Sequence, residues 1–129
     1  MMAKIALVAA GGALGAVMRF LVVHAFGRIT GFPLGTLAVN VAGSFAMGVL
    51  AVVLMERAGG AGRLAPFLMT GILGGFTTFS AFSLDTLALV ERGRGAEAAL
   101  YVALSVGLSV GALWAGLLLA RAAMPGAGS

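Results

Sequence analysis

Side chains able to hold an ion recur at helical spacing in three apolar stretches of this chain. The first, Gly35–Ser44, reads GTLAVNVAGS and places Thr36, Asn40 and Ser44 four residues apart. That spacing puts them on one helical face, where the amide brings two N–H donors and each hydroxyl one. The second, Gly71–Ser83, reads GILGGFTTFSAFS, with Gly74 beside Gly75, Thr77 beside Thr78, and Phe79 three residues before Phe82. The third sets Tyr101, Ser105 and Ser109 four residues apart. Two chemistries fit these residue types. Neutral N–H and O–H donors, with the positive edges of aromatic rings, can replace water around a small, strongly hydrated anion. Carbonyls freed at a glycine-rich helix break can coordinate a cation such as Na⁺. Plainer readings stand beside both. Asn40 and the hydroxyls serve equally as interhelical glue at about 0.6 kcal/mol per bond, the phenylalanines as packing, and membrane serines as partners of their own helix.

Other chemistries lack their residues. No carboxylate–histidine pair and no nucleophile with a base beside it stands within the apolar stretches, so an enzyme is not expected. The absence of cysteine excludes disulfides, thiol catalysis and Cys-based zinc sites. The adjacent glycines lack the lysine and the strand context of a phosphate-binding loop. A net charge of +4 rests on eight basic residues scattered along the chain, which read as interfacial flanks rather than a nucleic-acid patch. His24 stands alone and takes no ligand role. Arg19 is the one basic residue well inside an apolar stretch. It either snorkels to an interface or fixes a helix break, with Asp85 as a candidate partner.

These residues must be held by an apolar framework. Of 129 residues, 61% are hydrophobic and 9% charged, whereas a soluble domain carries about 25% charged residues. The mean hydropathy is +1.13. Lipid is therefore the expected solvent. Ile5–Met18, Ile29–Met55, Leu64–Leu84 and Ala98–Ala120 contain no Asp, Glu, Lys or Arg, and about 20 apolar residues cross the hydrocarbon core. Backbone polar groups must be paired internally there, so the spans are helices. Four are predicted within one domain, at about 3–26, 35–56, 64–90 and 96–121. The third is expected to break mid-membrane at its glycine pair. Short connections make neighbouring spans antiparallel, and residues after Met124 are expected to fray. Lys4 and the apolar run after it resemble a signal peptide, but Arg19 and three further spans follow, so the segment is expected to be retained.

Small-x-x-x-small pairs, at Gly11/Gly15, Gly12/Ala16, Ser44/Gly48, Gly71/Gly75 and Gly107/Gly111, permit close helix crossings. Lys4, Arg57, Arg63 and Arg121 fall on one side of the membrane, and Arg28, Arg92 and Arg94 on the other with Arg19 nearby. Such balance reads either as a weak orientation signal or as insertion in both directions, and charge alone does not choose.

Together the motifs resemble the Fluc (CrcB) fluoride channel family. Gly11–Phe20 resembles its first-helix signature, Gly35–Phe45 its second and Gly74–Ser83 its third. The resemblance implies an all-α membrane protein forming an antiparallel, dual-topology homodimer in the plasma membrane, with two pores that export fluoride passively. It implies a structural Na⁺ at the dimer centre, held by the backbone carbonyls of Gly74 and Thr77. Asn40, Phe79 and Phe82 would line the anion pathway, with Tyr101, Ser105 and Ser109 as its hydroxyl track. Arg19 matches the family's first-helix arginine, with a structural or electrostatic role. Phe20 stands where Tyr or Trp is common and Phe76 where Leu is common. The rivals are a small proton-coupled drug exporter, for which spans one and two lack a carboxylate before Glu56, and a non-transporting assembly subunit.

Overall fold

The chain's three prolines all stand at helix ends, where a missing N–H breaks no ladder. Pro33 precedes α2 (Leu34–Leu50), which runs on as a π-helical segment, π1 (Ala51–Arg57). Pro66 opens a second π-helical segment, π2 (Pro66–Leu73), which passes into the short α3 (Gly74–Phe76). Pro125 follows α5 (Gly95–Ala123). The remaining helices are α1 (Met2–Phe26) and α4 (Phe79–Glu91). This computed structural model describes residues 1–27 and 31–125. Arg28 and the tail expected to fray, residues 126–129, lie outside the described residues. Four helices are long and apolar enough to cross a membrane: Met2–Phe26, Leu34–Arg57, Pro66–Glu91 and Gly95–Ala123.

Two close crossings carry the packing, α1 against π2 and α2 against α5. Glycine makes each possible. A Cβ on Gly11 would lie 2.5 Å from the Phe67 carbonyl oxygen, and one on Gly75 the same distance from the Gly12 oxygen. The pairs Gly11/Gly15 and Gly71/Gly75 thus face each other backbone to backbone. In the other crossing, Gly48 meets the Leu113 carbonyl and Gly116 the Phe45 carbonyl. Among the described residues, nothing lies within 4 Å of a Cβ added at Gly107 or Gly111. Without a hydrophobic drive between helices in lipid, such contacts must work by dispersion and by buried polar bonds.

Polar links close both ends of the bundle. Arg121 donates to both oxygens of Glu56, at 2.6 and 3.2 Å, and Arg57 Nε donates to the Met124 carbonyl at 2.9 Å. At the opposite end Arg94 donates to the Gly31 carbonyl at 3.2 Å and pairs with Glu97. The buried centre is small: Leu89, Ala98 and Tyr101, packed by Phe32, Leu37 and Phe82. Large apolar side chains such as Phe20, Leu84, Val110 and Trp114 point outward, as lipid permits.

Candidate functional site

The site forms where α3 stops. Thr77 (φ −86°, ψ 157°) and Thr78 (φ −153°, ψ 118°) are extended between Phe76 and Phe79. Threonine is β-branched and suits extended backbone, while Gly74 and Gly75 lend little helical preference. Leaving the helical ladder frees backbone groups that an apolar environment requires to be paired.

Side chains from two other helices meet that need. Asn40 on α2 donates Nδ2 to the Thr78 carbonyl at 3.1 Å and accepts from the Thr78 N–H on Oδ1 at 2.8 Å. Arg19 on α1 donates Nε to the Gly75 carbonyl at 3.0 Å. The Thr77 N–H and hydroxyl both donate to the Leu73 carbonyl, at 3.0 and 2.9 Å. The Thr78 hydroxyl accepts from the Ala81 N–H at 3.1 Å and so caps α4. Loss of that cap costs about 1 kcal/mol, so Thr78→Val is expected to lower the unfolding midpoint in detergent by that equivalent without dissolving the fold.

This network leaves a specific remainder. In an unbroken helix the Thr78 N–H would bond Gly74 O, and the Ala81 N–H would bond Thr77 O. Both donors are diverted, one to Asn40 and one to the Thr78 hydroxyl. Among the described residues, the Gly74 and Thr77 carbonyls accept no capping, turn or side-chain hydrogen bond.

A cavity of about 310 Å³ opens beside the extended pair. Asn40, Phe79, Phe82, Ser105 and Ser109 all line it, joined by Ser44, which also belongs to the polar face of α2. The Ser105 and Ser109 hydroxyl oxygens are buried and have no partner among the described residues. Membrane hydroxyls ordinarily bond a carbonyl one turn back, as Ser83 does to Phe79 O at 2.9 Å and Thr86 to Phe82 O at 2.8 Å. An unmet buried hydroxyl costs about 1–3 kcal/mol. Phe79 and Phe82 sit with ring centroids 5.4 Å apart at 58°. Phe79 is 78% exposed.

Tyr101 is placed differently from the two serines. It is fully buried, its ring 5.3 Å from Phe82 and edge-on to Phe32 at 5.5 Å. Its hydroxyl donates to Asp85 Oδ2 at 3.1 Å instead of lining the cavity. Asp85, the candidate partner of Arg19, is therefore engaged from α5, and no Arg19–Asp85 ion pair forms among the described residues. The two side chains do border one further cavity of about 360 Å³, with Thr36 and Thr78. His24 stacks on Phe20, ring centroids 6.1 Å apart. Among the described residues no group of His, Cys, Asp or Glu could hold a metal. Sequence reasoning passed over Gly43, one turn from Asn40, which receives the Thr77 methyl. Its signal was its place on the polar face of α2.

Residues 6–117 match the family model described as CrcB-like protein, Camphor Resistance (CrcB). The chain belongs to the CrcB-like family. Its relatives include proteins named "Fluoride-specific ion channel FluC". The one from Cereibacter sphaeroides (strain ATCC 17029 / ATH 2.4.9) is 56% identical over 123 residues, covering 94% of this chain and 97% of the relative. That of Paracoccus denitrificans (strain Pd 1222) is 59% identical over 115 residues, or 88% and 91% of the two chains. That of Rhizobium meliloti (strain 1021) is 52% identical over 123 residues, or 94% and 98%. These CrcB-like relatives are named as an ion channel and not as an enzyme, and the four apolar helices make this member a multi-pass membrane protein.

Proposed function

We propose that this chain is one protomer of an antiparallel, dual-topology homodimeric channel in the plasma membrane that carries fluoride passively out of the cytoplasm. The observation that carries the reading is the uncharged, donor-bearing wall of the 310 Å³ cavity. Asn40 commits its amide oxygen to the Thr78 N–H and one N–H to the Thr78 carbonyl, and its second N–H has no partner among the described residues. Ser105 and Ser109 add two hydroxyls that are likewise without a partner there. Phe79 and Phe82 add ring edges of positive sign. An anion that sheds its water here meets N–H, O–H and ring-edge donors and no carboxylate among the lining residues.

The pathway is uncharged along this wall, which suits passage as well as binding. Conduction needs sites strong enough to replace hydration and weak enough to release the ion. Undissociated HF enters from acid surroundings and dissociates inside, trapping the anion. A channel then lets the membrane potential drive it outward. The near-balanced basic flanks support insertion in both orientations, and the outward-facing Phe79 supports a second copy closing the pathway.

The third helix, on this reading, is broken at mid-membrane. Gly74 and Thr77 carbonyls fit a structural Na⁺: they are hard, neutral oxygens, and both have lost their helical donors. Two from each protomer would hold the ion between the copies, where it would neutralise converging carbonyl dipoles. Arg19 takes Gly75, one of the two intervening carbonyls, out of that set.

Fluoride efflux from sealed proteoliposomes, followed with a fluoride electrode, tests the proposal. Flux selective over chloride and indifferent to a pH gradient is expected; no fluoride release removes the reading. Phe82→Ile is expected to cut flux by at least about tenfold, the rate equivalent of one lost ring-edge contact, with the dimer still folded. Unchanged efflux would take Phe82 out of the pathway.

A further inference from the structure

We propose that Gly43 is a positioning residue for the cation site, because the notch it leaves on α2 receives the Thr77 methyl and so aims the Thr77 carbonyl. The inference rests on the reading of Gly74 and Thr77 as Na⁺ ligands.

Thr77 is held at both branches of its side chain. Its hydroxyl donates to the Leu73 carbonyl at 2.9 Å, which selects the rotamer. That rotamer sends Cγ2 to Gly43, where an added Cβ would overlap the methyl and come within 3.3 Å of Phe76 Cδ2. The methyl therefore fills the volume that any other residue at 43 would claim. One turn earlier on the same helix, Asn40 holds both backbone groups of Thr78. The Thr77 carbonyl belongs to the peptide unit between these two anchors. A notch and an amide, three residues apart on one rigid helix, thus fix both ends of that unit. A side chain locked by packing and hydrogen bonding is what holds ligand atoms to the fraction of an ångström that a binding site requires.

Gly43→Ala pushes the methyl out of its notch and turns the carbonyl. Losing such support typically costs roughly 10-fold to 100-fold in metal affinity. Thr77→Ser removes the methyl and keeps the hydroxyl, so it relieves the overlap without touching the ligand atom. The purified full-length protein and the variants Gly43→Ala, Thr77→Ser and Gly43→Ala/Thr77→Ser are titrated with NaCl against N-methylglucamine chloride at constant ionic strength. Thermal unfolding in detergent gives the half-saturating Na⁺ concentration.

Gly43→Ala is expected to raise that concentration by about tenfold or more, Thr77→Ser, which loses the methyl's seat but keeps the hydroxyl bond, to raise it by less, and the double variant, in which the overlap is gone, to return to within about threefold of Thr77→Ser alone. If Gly43→Ala yields no folded protein, recovery of a folded, Na⁺-responsive double variant carries the same support. A Gly43→Ala protein with the parent's Na⁺ response, or a double variant no better than Gly43→Ala, overturns the role of Gly43 and leaves the cation reading standing. A parent protein whose stability ignores Na⁺ overturns both.

Discussion

Asn40→Asp is expected to reduce fluoride efflux by about a hundredfold or more, the scale on which loss of one preorganised donor is felt in a water-poor site. The substitution preserves shape but not sign. Asn40 donates to the Thr78 carbonyl and accepts from the Thr78 N–H. A carboxylate keeps the second bond and sets an oxygen against the carbonyl in the first. It also puts a negative charge on the wall that Phe79, Phe82, Ser105 and Ser109 share, where an approaching anion meets repulsion at low dielectric. Proteoliposome efflux is the measurement, with Asn40→Ser as the comparison that removes the amide and adds no charge. An Asp variant within about threefold of the parent rate contradicts the donor-wall mechanism.

Gly15→Val is the substitution expected to damage the fold most. A Cβ at Gly15 would overlap the Ile72 carbonyl oxygen and lie 2.8 Å from the Phe76 nitrogen. Both are backbone atoms, which do not swing aside. The cost is about 3 kcal/mol or more, at the upper end of overpacking. Separation of α1 from π2 also withdraws Arg19, one turn beyond Gly15, from the Gly75 carbonyl. Denaturant or thermal unfolding in detergent should show a large drop in midpoint, or no monodisperse protein. Gly107→Ala serves as the control, since among the described residues nothing lies within 4 Å of its added carbon, and its stability should change by less than about 0.5 kcal/mol. Equal midpoints for Gly15→Val and the parent would show that the crossing yields.

The contrast between Gly15 and Gly107 shows where sequence reading stops. Both belong to small-x-x-x-small pairs with the same spacing. Such a pair states that a helix can be approached closely and does not name the helix that approaches. Tyr101, Ser105 and Ser109 make the same point. Their four-residue spacing puts them on one face, yet the serines line the cavity while the Tyr101 hydroxyl, at the far end of a long ring, reaches Asp85. Side-chain length carried Tyr101 past the surface its Cβ shares. Arg19 was legible as a charge needing a partner, and its partner is a carbonyl on another helix that no charge pattern encodes. Gly43 had only its place on the polar face of α2 to mark it, because what it offers Thr77 is empty space.

Composition and periodicity alone determined the solvent of this protein and the number of its apolar helices, because the cost of placing charge and unpaired backbone in lipid is local and sums along the chain. They also determined which residues had donors to offer. The tertiary structure decided which donors remain unspent. Among the described residues, Asn40 is bound on one side and open on the other, Ser105 and Ser109 are unpartnered, and the Gly74 and Thr77 carbonyls lack the N–H donors a continuous helix would give them. Hydrogen-bond capacity belongs to a residue; the remainder left after its neighbours are satisfied belongs to the fold.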